Sequence, residues 1–263
     1  GDAPNVSALQ GGTLEMVSMN SGILASQVTE FAVYDFPFQF ANGKEADAVV
    51  DGPFGKMMHA KLQDKGMIGL TYWELGFRNM TNSKRPINTV ADLAGLKIRV
   101  IPNPINLDWV KALDANPTPM AFPEVYAALE SKALDGQENP LSVILANKFA
   151  EVQKHLTLTN HQYNPQSVII SKKFWDKLNA DEKKLIGDAA VEAGKYQRQV
   201  AREASGTALD ALKKAGMQVT ELPAAEMDKL RDKMRPVIAK YAVSVGQETV
   251  QSMQAELAKA RGK

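Results

Sequence analysis

Two arginines hold positions from which they could bind an anion. Arg99 stands near the end of GLKIRV, where strand alternation puts Ile98 and Val100 on one face and Lys97 with Arg99 on the other. In a sheet covered on both sides, such an arginine snorkels, pairs with an internal acid, or points into a cleft at the carboxyl ends of the strands, where open α/β sheets bind ligands. Arg78, in GFRN, follows the apolar run MIGLTYWELGF and takes a similar place. A guanidinium grips a carboxylate through two parallel hydrogen bonds, which lysine cannot reproduce. Arg85, between Lys84 and Pro86 in a polar loop, reads as solvated.

The hexapeptide DGQENP, residues 135–140, adds two acids and two amides directly after an amphipathic stretch. Pro140 holds Asn139 in extended geometry, and its amide both donates and accepts. One reading makes Asn139 part of the wall of a pocket facing Arg99. The other makes Gly136 the C-cap of the preceding helix, with the polar residues solvating a turn.

The usual enzyme constellations are absent: the chain has no GxSxG, GxxxxGK[ST], GxGxxG or HExxH. His59, His155 and His161 are scattered, and their spacing does not suit shared metal ligation on a helix. Asp181 and Glu182 sit at a helix start, where the macrodipole accounts for them. The sequence therefore calls for no catalytic residue, no metal and no cofactor. With no cysteine there is no disulfide, thiol nucleophile or thiolate site. A net charge of +1 gives no field that would attract nucleic acid, and 44% apolar residues suffice for a core.

The elements that must position these side chains read as helix and strand in alternation. VSALQGG ends a helix at Gly11 and Gly12, and TLEMVSMNS is a strand. FAVYDFPFQF is an aromatic loop or short strand, and ADAVVDGPFGKMMHAKLQDKG continues as helix to Gly66. After the buried strand MIGLTYWELGF, Thr89 caps a short helical turn, Gly95 stops it, and a strand runs from Leu96 to Ile101. NLDWVKALDA, PEVYAALESKA and SVILANKFAEV are helices, TPMAF and SVIIS strands. The helix from Asn179 to Gly216 would exceed ~50 Å, longer than one small domain, and so crosses two. MQVTEL is a last strand, and residues 224–261 form two helices with a kink or break at Pro236. The rhythm predicts an α/β protein with parallel sheets covered by helices.

GFRNMTNSKRPINTVADLAGLKIRV, ANPTPMAFPEVYAALESKALDGQENP and FAEVQKHLTLTNHQYNPQSVIISKKFWDKL together resemble the substrate-binding proteins of tripartite ATP-independent periplasmic (TRAP) transporters, the DctP-type family. The resemblance covers essentially the whole chain. It implies a periplasmic, two-lobed binding protein, each lobe a sheet flanked by helices with a long helix crossing both. Such a protein closes on an organic acid like a hinged trap and delivers it to a sodium-driven membrane permease. By resemblance, Arg99 makes the salt bridge to the ligand carboxylate, Arg78 is a second cationic contact, Asn139 hydrogen-bonds the ligand, and Phe122 packs on it or is core. His161 lies in the polar network behind the pocket, with Gln166 on the same stretch.

Family members begin with a strand, a helix and a strand before a GD motif, and here that motif is Gly1 and Asp2. The expectation is a first lobe of residues 1–77 and 165–205, N-terminally incomplete, and a second of 78–164 and 206–263. Asn20, Ser21, Glu74, Asn103 and Asn106 bring further polar groups to the cleft. They suit hydroxyls, so the resemblance points to a sugar acid such as glucuronate or galacturonate. Trp73 stacks on a sugar face or is core. The expected partners are a small carboxylate ligand and the permease subunits, with the binding protein a monomer. The competing readings are a sugar-acid lyase or isomerase using Glu74 and His161, and the sensing module of a receptor.

Overall fold

The computed structural model of the protein describes residues 1–262. Helix α1 (Asp2–Gly11) stops where Gly12 turns left-handed at φ 79°, as the paired glycines predict, and β1 (Met16–Asn20) follows. FAVYDFPFQF is neither loop nor strand at its start: Thr29–Asp35 winds as a 3-10 turn whose aromatic residues are buried. The single helix expected up to Gly66 is two, α2 (Gly43–Asp51) and α3 (Pro53–Ala60). Pro53 has no N–H to extend the first ladder, and it is well placed in the first turn of the second.

Strand β2 (Met67–Asn82) runs sixteen residues, well past the expected end at Phe77, so Arg78 lies inside a strand. Next come β3 (Lys97–Val100), α4 (Pro104–Lys111), β4 (Asn116–Pro119) and α5 (Val125–Glu130). The Thr89 capping box with Asp92 precedes β3 as anticipated. DGQENP is not a helix exit, because α5 ends at Glu130 and Gly136–Pro140 forms the buried strand β5. A Cβ on Gly136 would overlap the carbonyl oxygen of Thr81 on the neighbouring strand, so close strand packing explains that glycine better than a cap does. The chain continues through α6 (Leu141–Ala146), the seventeen-residue β6 (His155–Ser171) and α7 (Lys172–Trp175). The long helix α8 (Ala180–Lys214) starts at an Asn179–Glu182 capping box. Strand β7 (Gln218–Glu221), α9 (Ala224–Val245), with Pro236 inside it, and α10 (Gln247–Ala260) complete the described chain.

The strands order as β1-β6-β2-β5-β3-β4, with β7 also on β6. Parallel pairing, expected throughout, holds only for β3 with β4, β3 with β5 and β6 with β7. The remaining pairs are antiparallel, because β2 and β6 are double-length strands that lie side by side instead of being separated by a crossover helix. One half of this ribbon carries β1. The other half carries β5, β3, β4 and β7, so the two strands are common to two lobes. Register shifts interrupt their pairing between Glu74 and Gly76 and between Arg78 and Met80, with a third between Gly69 and Thr71. Gly76, at φ 113°, supplies the backbone freedom the first shift requires.

Two apolar cores flank the sheet. The larger includes Leu9, Phe31, Phe54, Trp109, Ile169 and Leu257, and the smaller gathers Val125, Leu129, Phe149, Leu156 and Leu212. At ~1.5 Å per residue the 35-residue α8 spans about 50 Å. It reaches from β2, where Arg198 donates to the Tyr72 carbonyl and to Asp51, to the smaller core at Leu212. Helix α10 returns to pack on α2 and α3.

Candidate functional site

The residues singled out in the sequence fall into two groups along the β2–β6 ribbon, one on the half that carries β5 and β3 and one on the half that carries β1. Arg99, on β3, is aligned with Gln137 of β5, whose side chain donates to Thr81 and accepts from the Asn139 amide at 2.6 Å. Arg99 is 3% exposed. Its Nε and Nη2 both donate to the Met120 carbonyl, at 2.9 and 2.7 Å, and its Cζ lies 5.8 Å from the centre of the Phe122 ring. Among the described residues no carboxylate lies within ion-pair distance of it. Burial lowers its pKa to about 10, and the charge of Arg78 adds to this while Glu138 and Asp2 oppose it. Arg99 thus stays a cation at neutral pH in a desolvated place, with one carbonyl as its hydrogen-bond acceptor. An anion delivered there would relieve the cost of burying that charge.

Arg78 is fully buried and already engaged. Its Nε donates to Glu138 Oε2 and its Nη2 to Glu138 Oε1 at 2.8 Å, while Nη1 has no partner. The free fork expected at a strand end is therefore a closed ion pair with one N–H edge left over, because β2 continues past Arg78 and packs it against β5. His161 completes the group, with Nε2 3.2 Å from Glu138 Oε2 and Nδ1 2.8 Å from the Thr159 hydroxyl. Burial works to raise the Glu138 pKa, but the charge of Arg78 and the hydrogen bonds from His161 and Arg78 outweigh it and hold it down to about 2.

On the other side, β1 and β2 flank β6 so that Asn20 and Trp73 both align with Gln166. Side chains in one such row share a face of the sheet. Asn20 Oδ1 accepts from the Gly22 amide, whereas Asn20 Nδ2 and Trp73 Nε1 are buried without partners. Unpartnered buried donors are costly, and Arg78 Nη1 is a third.

Two expected contacts are used elsewhere. Glu74 aligns with Pro165, one position along from the Trp73–Gln166 pair, and so faces away from it; its carboxylate pairs with Arg202 of α8 at 2.7 Å. It borders a cavity of about 710 Å³ whose lining includes neither Arg99 nor Asn139. Asn103 Nδ2 donates to the Gly22 carbonyl at 3.2 Å and to Asp35 Oδ2 at 2.8 Å.

That contact exposes what the sequence reading missed. Asp35, wholly buried at the end of the 29–35 turn, also accepts from Asn106 at 3.0 Å and from Asn164 at 2.9 Å, and its carbonyl accepts from Gln162. Burial raises its pKa to about 6, only partly offset by Asn103, Arg78 and Asn106. Glu138 was equally unmarked as the partner of Arg78. A signal existed for Asp35, since Gly22 is bare because a Cβ there would overlap its carboxyl, but nothing in the sequence joins positions 22 and 35. Among the described residues no helix is long and apolar enough to cross a membrane, and no cluster of three or more His, Cys, Asp or Glu could hold a metal ion.

Comparison with known proteins identifies the family and the fold. The model of the family described as bacterial extracellular solute-binding protein, family 7 (DctP) matches residues 1–244. The 2,3-diketo-L-gulonate-binding periplasmic protein YiaO of Escherichia coli is 40% identical over 237 residues, which are 89% of this chain and 72% of that protein. The crystal structure of a TRAP periplasmic solute-binding protein from Ochrobactrum anthropi, with its C-terminus bound in the ligand-binding pocket, superposes with a TM-score of 0.88 at 54% identity, covering 100% of this chain and 82% of that one. The sugar-acid-binding protein DctPAm of Advenella mimigardefordensis, in complex with galactonate, gives 0.96 at 43% identity, covering 98% and 84%.

Proposed function

We propose, from the premise that this chain belongs to bacterial extracellular solute-binding protein family 7 (DctP), that its solute is a sugar acid held through its carboxylate by Arg99 and enclosed by closure of two lobes. The protein is a periplasmic binding component of a TRAP transporter for organic acids, it works with membrane permease subunits, and it is not an enzyme. What carries the ligand chemistry is Arg99, a buried cation without a carboxylate partner among the described residues, 5.8 Å from an aromatic ring and one strand from Asn139.

The remaining groups match a polyhydroxylated body. Asn20 Nδ2, Trp73 Nε1 and Arg78 Nη1 are buried donors, and Gln162 Oε1 and Asn164 Oδ1 are buried acceptors, all unpartnered. Hydroxyls serve both kinds. The relatives named for 2,3-diketo-L-gulonate and galactonate put open-chain six-carbon acids first in order of trial, ahead of glucuronate and galacturonate.

We place the hinge where β2 and β6 change register, so that residues 1–77 with 165–205 swing against 78–164, and the chain from 206 onward follows the second lobe until α10 returns to α2. The enzyme reading loses its candidates: Glu74 is paired with Arg202, and His161 is fully buried between Glu138 and Thr159.

Calorimetric titration with galactonate, 2,3-diketo-L-gulonate, galacturonate, glucuronate and C4-dicarboxylates tests the reading. One sugar acid should bind, and Arg99→Ala should weaken it roughly 30-fold or more, the ~2–5 kcal/mol expected when a buried charge loses its partner. Undiminished affinity in that variant would reject the role given to Arg99.

A further inference from the structure

The Asp35 carboxylate joins parts of the molecule that the proposed closure brings together. It is anchored on its own side by the 29–35 turn and by Gly22, whose missing Cβ makes room for the carboxyl, while Gln162 of the other lobe donates to the Asp35 carbonyl. Its oxygens then reach outward: Oδ2 accepts from Asn103 and Asn106 at the start of α4, and Oδ1 from Asn164 where β6 passes between the halves of the sheet. Helix α4 follows directly on β3, the strand that carries Arg99.

We propose that Asp35 is a positioning residue for ligand capture: it is the acceptor that latches the β3–α4 unit onto the first lobe when the two lobes are together. The inference rests on the reading of the protein as a two-lobed binding protein that closes on an acid. Three amides converge on one carboxylate, and only that of Asn103 has a second acceptor, the Gly22 carbonyl at 3.2 Å. Neutral isosteres fail there for a physical reason. An asparagine at 35 turns one acceptor oxygen into a donor, so that an N–H faces the amide N–H groups it formerly received. The wider surroundings are also charged, with Arg78 and Glu138 near enough to act on the carboxyl electrostatically. The latch does not touch the ligand. It lowers the free energy of the closed arrangement, so its loss should appear chiefly as faster release.

The test compares the full chain with Asp35→Asn and with the exchanged pair Asp35→Asn/Asn106→Asp, using the sugar acid that binds the unaltered protein. In the pair, an aspartate at 106 keeps the acceptor that Trp109 and Gln162 use and receives the new amide at 35. Stopped-flow release and calorimetry should show Asp35→Asn releasing at least tenfold faster and binding at least tenfold more weakly, with the exchanged pair recovering half or more of that loss on a logarithmic scale. A residue of merely structural importance would not be rescued by moving its charge to a neighbour. Unchanged release in Asp35→Asn, or no recovery in the pair, overturns the latch. If no acid binds the unaltered protein, the functional reading fails on its own, and hydrogen exchange at the Asn106 and Leu107 amides then decides: faster exchange in Asp35→Asn supports the latch and equal exchange overturns it.

Discussion

Replacing Glu138 by glutamine removes a charge on which Arg78 and His161 both depend. The carboxylate is 1% exposed, its Oε1 is 2.8 Å from Arg78 Nη2, and its Oε2 is shared by Arg78 Nε and His161 Nε2. Burial alone would raise its pKa from 4.5, yet it lies at about 2, because Arg78 and His161 outweigh burial. A carboxyl held that far below its ordinary range favours the ionised, folded form by on the order of a few kcal/mol. Independently, stranding a buried partner such as Arg78 costs ~3–5 kcal/mol. The two routes agree, so urea denaturation at pH 7 should show Glu138→Gln less stable by about 3 kcal/mol. Because the folded pKa is the lower one, the contribution is whole above the unfolded value of ~4.3 and disappears as pH falls through about 2. The unaltered protein should therefore lose this stability between pH ~4.5 and 2, and the variant should lack that part of the slope. A variant within ~1 kcal/mol of the unaltered protein at pH 7, with the same acid slope, would refute the reasoning.

Asp35 should titrate in the opposite sense. Its folded pKa is raised to about 6, chiefly by burial, so its contribution is full below the unfolded value of ~3.9 and is lost as pH rises through about 6. Thermal melts of Asp35→Asn between pH 5 and 7 should follow a flatter curve than those of the unaltered protein. Arg99→Lys keeps the cation but loses the fork that grips Met120 O through two nitrogens, and titration calorimetry should find affinity for the sugar acid reduced at least tenfold. Gly136→Ala should cost ~1–3 kcal/mol in denaturant midpoint analysis, since its Cβ meets the backbone oxygen of Thr81, which cannot rotate away.

Legibility in the sequence followed the range of the interaction. Local signals were readable: the Gly12 stop, the Thr89 and Asn179 N-caps and the full length of α8 are set by neighbours within a few residues. Strand direction was not, because helix-strand alternation suggests parallel neighbours, whereas β2 and β6 pair over 67–82 and 155–171 through contacts about ninety residues apart. The candidate site divides in the same way. Arg99 and Asn139 could be picked out because a guanidinium on a strand and an X-Pro amide are unusual in themselves. Glu138 inside DGQENP reads as one more polar residue until Arg78 is packed on it. Asp35 reads as a break in an aromatic run until Asn103 and Asn106 arrive from α4.

Of the three register shifts in the β2–β6 ribbon, the two that flank Phe77 have a mechanical consequence. A ribbon of paired strands resists twisting and shear along most of its length, and its compliance is concentrated where ladder hydrogen bonds are interrupted, here on either side of Phe77. On the hinge proposed above, with α8 running alongside as a beam, the lobes would have one main swing about an axis through that point. Groups close to a pivot travel little, and groups far from it sweep the widest arc. Arg78, Glu138 and His161 lie beside the pivot, so their ion pair can ride through opening and closing intact. Asn20 and Arg99 are placed on opposite arms, so the swing would change their separation while that ion pair keeps its own.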